Sequence, residues 1–198
     1  MDVDSIVSVV NIVSSGKLDL ELDLAAVAED LRQFDFIVDV EHSRRSGNRL
    51  LIEFEDNESL GILAPAGVYV FTGADTHDEV EEARVYLMTA LSKLGIISSP
   101  EPTPDEIVDE FEVRNLVSTA EVDYEVSLNM LNIGLGLENT EYEPEQFPGL
   151  VFRPSSNSCT IIVFASGKIV ITGVREKEVA EREFASLKEK MGDLLSTS

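Results

Sequence analysis

A chain of 198 residues with 43% apolar side chains can bury one large core or two small ones, which excludes a disordered protein. Its 38 acids against 15 bases leave a formal charge of −23, a balance that argues against polyanionic partners drawn in by long-range attraction. One cysteine, Cys159, excludes an internal disulfide, and two histidines, His42 and His77, without CxxC or HExxH spacing argue against a metal site. No run of eighteen apolar residues occurs, and the opening "MDVDSIVSVV" has acids where a secretory signal has bases. A soluble, cytoplasmic protein with no membrane partner and no cofactor is therefore expected. The acidity has two readings that composition leaves open. One is a plain acidic protein; the other is adaptation to molar salt, where the Debye length falls to about 3 Å and net charge stops predicting partners.

Along the chain, "VVNIVSS" at 9–15 predicts a strand and 22–33 a helix. "FDFIVDVEHSRRSGNRLLIEFEDNESLGIL" predicts further strands, with a longer hairpin whose tip is "SRRSGN". "PAGVYVFTGAD" at 65–75 predicts a strand ending in Thr72-Gly73, and Val80, Ala83, Leu87, Ala90, Leu91 and Leu94 form the stripe of a helix. The three prolines of "SSPEPTPDE", residues 98–106, mark a linker. Then the pattern returns. "VRNLVST" at 113–119 answers 9–15 at an offset of 104, and "ASGKIVITGVR" at 165–175 answers 65–75 at an offset of 100. The first copy therefore holds four additional residues in between. A helix is expected near 124–136 and another on Val179, Phe184, Leu187, Met191 and Leu194. The fold class expected is α+β, with two pseudo-symmetric repeats at 1–97 and 107–198 joined by the linker at 98–106.

In "KIVIT", Lys168, Val170 and Thr172 face one way and Ile169 and Ile171 the other. Helices cover only one face of such a sheet. If they cover Ile169 and Ile171, then Val170, Thr172, Ile162 and Phe164 lie on a face that nothing in the chain covers. An open apolar patch points to a binding surface, while a second sheet or a dimer contact would cover it as well. An enzyme is not expected: there is no nucleophile–base constellation and no phosphate loop, "GLGLEN" at 134–139 lacking the preceding strand and third glycine.

The stretch "YEPEQFPGLVFR" followed by "IIVFASGKIVITG" resembles the TATA-box-binding protein family, most closely its archaeal form, and the resemblance extends over nearly the whole chain. It implies a saddle: one curved antiparallel sheet, helices on the convex face, and the concave face pressed into the minor groove of AT-rich promoter DNA. It also implies that Asn11 and Asn115 donate to base acceptors at the centre of the groove, where A·T pairs offer only acceptors and a guanine amino group would clash. Val13, Val117, Val70, Val170, Ile62 and Ile162 would lie on base edges, with Thr72 and Thr172 adding hydrogen bonds. Phe147 and Phe164 match the family's wedge pair, which unstacks a base step at a cost of a few kcal/mol and bends the duplex. The resemblance likewise places Pro148 and Leu150 on the DNA-binding face as contacts, and Arg153 and Lys168 match phosphate contacts. Glu143, Glu145 and Gln146 occupy the stirrup where transcription factor B docks in the family. The implied place of action is the nucleoid, and the apolar concave face makes a DNA-free homodimer conceivable.

The first repeat departs from this pattern. Alignment on Thr72-Gly73 puts Ala64 at the second wedge position, Val68 at the phosphate lysine, and Gly47 near the first wedge position. Arg44, Arg45 and Arg49 at the hairpin tip are either phosphate contacts or solvated turn residues. Weaker, less symmetric bending is the consequence expected. A regulator that binds transcription factor B or another protein, with little promoter binding, is the alternative function.

Overall fold

The computed structural model describes residues 7–45, 47–98, 111–156 and 159–196, so the linker expected at 98–106 lies, except for Ser98, outside the described residues. The chain divides into two compact units, Asn11–Arg114 and Met1–Val10 with Asn115–Ser198. The element order is β1 (Ser8–Lys17), α1 (Leu24–Leu31), β2 (Ile37–Ser43), β3 (Arg49–Phe54), β4 (Asn57–Leu63), β5 (Val68–Thr72) and α2 (His77–Lys93), and then the same order again. The second set is β6 (Glu112–Glu121), α3 (Leu128–Leu135), β7 (Thr140–Glu141), β8 (Gly149–Phe152), β9 (Thr160–Phe164), β10 (Lys168–Val174) and α4 (Lys177–Ser196). The strands lie antiparallel in the order β2-β3-β4-β5-β1 in the first set and β6-β10-β9-β8-β7 in the second.

Local chemistry starts the helices where they begin. Asp23 Oδ1 accepts from the backbone N–H of Ala25 at 3.0 Å, and Thr76 Oγ1 accepts from that of Glu79 at 3.3 Å. Asp78 and Glu79 in the first turn of α2 and Lys93 in its last complement the helix dipole. Packing then decides which face is buried. In β5, Tyr69 and Phe71 are fully buried beneath the helices while Val70 and Thr72 are half-exposed. In β10 the same holds for Ile169 and Ile171 against Val170 and Thr172, as strand alternation predicts. The α2 stripe buries Val80, Ala83, Leu87, Ala90 and Leu91, with Leu94 half-buried. On α4 the buried stripe is Ala180, Phe184, Leu187 and Met191, and Val179 and Leu194 sit at its margin.

The four additional residues are not in the hairpin. Leu24 and Leu128 open α1 and α3 at an offset of 104, whereas the pairs Val40–Ile52 and Thr140–Phe152 already match at 100. The insertion lies between α1 and β2, and the hairpin expected to be longer only pairs further along its length. The inserted segment carries Phe34 and Phe36, stacked at 5.4 Å, and Phe36 stacks at 5.1 Å on Tyr86 of α2. The Tyr86 hydroxyl donates to Glu82 at 3.0 Å, a bond that raises its pKa above the ordinary value.

One glycine recurs for a steric reason. Gly67 and Gly167 have φ of +74° and +91°, and a Cβ on them would stand 2.3 Å from the Leu18 carbonyl oxygen and 2.4 Å from that of Val122. Both turns press against the chain leaving the first strand of their repeat. Gly67→Ala is therefore expected to destabilise the protein by more than the roughly 1–3 kcal/mol of left-handed strain alone. A urea transition with an unshifted midpoint would contradict that.

Candidate nucleic-acid interface

With the helices on one side, each unit leaves its other sheet face open. In the first, the registers align Ser15, Val70, Ile62, Leu51 and Glu41 into one cross-strand row. In the second they align Thr119, Val170, Ile162, Val151 and Glu141. In both rows the four inner residues are half-exposed and the glutamate at the end is exposed. Val13 and Val117 are half-exposed on the first strand of each repeat. The Arg114 side chain donates to Ser15 Oγ at 2.8 Å at the end of the first row, and the apolar members of both rows stay half-exposed.

Beside each row sits an asparagine held in one orientation. Asn115 Oδ1 accepts from the backbone N–H of Gly173 at 2.7 Å and lies 3.3 Å from Thr172 Oγ1. Asn11 Oδ1 accepts from the N–H of Gly73 at 2.7 Å and from Thr72 Oγ1 at 3.2 Å. The glycines make this possible: at φ of +111° and +88°, Gly73 and Gly173 turn an N–H out of the ladder, and the second does so at a register shift between Thr172 and Val174. This is the physical content of the repeated Thr-Gly. With the oxygen so engaged, the amide nitrogen, which carries two hydrogens, keeps a donor on the open face even where Asn115 Nδ2 lies 3.1 Å from Thr172 Oγ1.

Phe147 is 41% exposed, and its ring meets that of Phe164 edge-on at 6.0 Å. The pair stands over Gly149, where a Cβ would come within 2.8 Å of Phe147 and 3.2 Å of Phe164. Pro148 is exposed in the preceding turn. Arg153 and Lys168 are exposed, Arg153 pairing with Glu141 at 3.3 Å. Glu143, Glu145 and Gln146 are exposed on the loop from β7 to β8, which is pinned where the N–H groups of Gln146 and Phe147 both donate to the Glu143 carbonyl.

One expected contact is overturned. Leu150 is fully buried, paired with Val163 on the helix-facing side, so it does not belong to the open face. Its neighbour Val151 does. Leu51 and Leu60, both half-exposed, also lie on the open face and were not anticipated. Their signal is the cross-strand pairing with Ile62 and Thr72, which a single strand's alternation does not carry.

In the first unit Leu50 pairs with Leu63 and Leu63 with Tyr69, just as Leu150 pairs with Val163 and Val163 with Ile169. Ala64 and Val68 therefore stand at the places of Phe164 and Lys168. Among the described residues, no helix is long and apolar enough to cross a membrane, and no cluster of side chains is suited to hold a metal ion.

The family model for "Transcription factor TFIID (or TATA-binding protein, TBP)" matches residues 6–94 and 110–194. TATA-box-binding protein C of Halobacterium salinarum is 38% identical over 189 residues, covering 96% of this chain and 99% of that protein. TATA-box-binding protein 2 of Haloferax volcanii is 37% identical, covering 95% and 94%. The solved structure of Methanococcus jannaschii TBP superposes with a TM-score of 0.75 at 29% identity, covering 94% of this chain and 98% of that one. The repeated β-α-β-β-β-β-α order, the open faces and matches that span both repeats agree: the chain belongs to the TATA-binding protein family, with its TBP-like α+β fold.

Proposed function

We propose that this protein is a transcription initiation factor that lays its open face in the minor groove of AT-rich promoter DNA, bends the duplex and recruits transcription factor B. The observation that carries the reading is the half-exposed apolar row of each unit, left bare beside an oriented asparagine donor. An A·T minor groove presents only acceptors, so the Asn11 and Asn115 amides suit it and the guanine amino group does not. Val13, Val117, Val70, Val170, Ile62 and Ile162 pack on base edges, with Leu51 and Val151 extending the contact. Phe147 and Phe164 wedge a base step apart, and Arg153 and Lys168 hold phosphates beside it. The exposed Glu143, Glu145 and Gln146 offer transcription factor B an acidic loop. The repeated element order supports two repeats, at 1–97 and 107–198.

A charge of −23 suits this reading if the protein works in concentrated salt, and its relatives from Halobacterium and Haloferax are those of halophilic archaea. Screened phosphates repel little, and apolar contact then supplies the affinity. The test is binding of a labelled AT-rich duplex in low and molar KCl, with and without transcription factor B. Wild type is expected to hold its affinity in molar KCl, and Phe164→Ala to lose roughly tenfold or more together with the bend read by end-to-end energy transfer. A steep loss with salt, the ordinary counterion-release response, would count against the apolar mechanism. The absence of aromatic wedges at Gly47 and Ala64 favours the second reading, a regulator that binds transcription factor B or another protein with little promoter binding. Binding of that factor with no duplex binding at any salt selects the regulator.

A further inference from the structure

The wedge of the second repeat is a unit of three positions, because Phe147 and Phe164 occupy the space that a side chain on Gly149 would need. The first repeat changes all three together, to Gly47, Ala64 and Arg49. Leu50 pairs with Leu63, so Arg49 and Ala64 come next along that ladder, and alternation puts Arg49 on the open face with Leu51. Its guanidinium folds over the turn: a Cβ built on Gly47 would stand 2.9 Å from Arg49 Nη2. The side chain excluded beneath the rings in one repeat is present where the rings are missing in the other. Arg49 is exposed and, among the described residues, has no ion-pair partner.

We infer that Arg49 is a groove-reading residue, inserting a cation into the minor groove where the second repeat inserts a wedge. This rests on the groove-binding function proposed above. A guanidinium carries only donors, in a planar fork, and matches the acceptor floor of an A·T minor groove. Narrow A-tract grooves concentrate negative potential and attract arginine, and they are stiff; flexible pyrimidine–purine steps are the ones that kink. The two repeats therefore ask for different DNA. Phe147 and Phe164 favour a deformable step, whereas Arg49 favours a straight, narrow tract and leaves its end of the site unkinked. An AT-rich element is then read with a direction.

The experiment uses the full chain and two duplexes that share the half bound by the second repeat and differ in the other half, an A-tract in one and repeated TpA steps in the other. Wild type is expected to prefer the A-tract about tenfold, a difference of the order that one good bidentate base contact gives. Arg49→Ala should remove that preference while retaining the bend that depends on Phe164, and Arg49→Lys should restore part of it. The double change Arg49→Gly and Ala64→Phe, which leaves the left-handed Gly47 in place, should abolish the A-tract preference and add bending by energy transfer. Equal preference in wild type and Arg49→Ala, with Phe164→Ala still defective, overturns the role of Arg49 alone. Failure of every variant and of wild type to bind either duplex overturns the groove-binding function with it.

Discussion

Asn115→Asp is expected to weaken binding of an AT-rich duplex at least a hundredfold while leaving the unfolding midpoint nearly unchanged. The two side chains have the same shape. Aspartate keeps the oxygen that accepts the Gly173 N–H, now as a charge-assisted bond, so the turn at Thr172-Gly173 is retained. It replaces the amide nitrogen with a second oxygen, however, and that oxygen would face the acceptor edges of adenine and thymine. A donor becomes a desolvated anion with no partner. Losses of this kind run to about 2–5 kcal/mol at buried interfaces. Fluorescence anisotropy against urea unfolding in the same buffer separates the two quantities, and a variant within fivefold of wild type would show that this amide gives nothing to the bases.

Phe71→Ala should be the most damaging change to stability. Phe71 is fully buried beneath the helices, and its ring meets those of Tyr69 at 5.8 Å, Phe54 at 6.1 Å and Phe111 at 6.3 Å. Phe111 in turn carries the Arg84 guanidinium 4.3 Å above its ring. Removing Phe71 opens a cavity at the centre of this cluster, at a cost of about 3–5 kcal/mol. That is a large share of the 5–15 kcal/mol typical of a native domain. Urea unfolding in concentrated salt measures it, and a loss below 1 kcal/mol would mean the cluster collapses around the gap.

The internal repeat was legible because Thr-Gly and the "Φ-V-S" strand recur in both halves, and the glycine at each has a backbone task that no other residue performs as well. The open face was legible where a strand is long: Lys168 to Thr172 alternates cleanly, and the burial of Ile169 and Ile171 follows it. It was illegible in "GLVF". A four-residue apolar run has no phase of its own, so the resemblance sets Leu150 and not Val151 on the open face, and only pairing with Val163 and Ile162 distinguishes them. The insertion was misplaced for a related reason. Two offsets bracket it only between residues 15 and 65, a span that includes the polar "SRRSGN" tip as well as the Phe34–Phe36 segment packed beside Tyr86. That Arg49 comes level with Ala64 follows from the β3–β4 register, which no linear reading contains.

The outermost strand of the first unit, β2, runs for seven residues where its counterpart β7 has two. A strand at a sheet's border has free peptide groups along one side, and a long one invites another chain to extend the sheet. Three features of β2 discourage that. Its ladder shifts register between Ile37 and Asp39, the side chains of Asp39 and Glu41 are charged, and the Arg32 guanidinium, at the end of α1, donates to the Val40 carbonyl. In concentrated salt the repulsion from the two acids is screened, which leaves the shifted register and the occupied carbonyl to keep the border from polymerising.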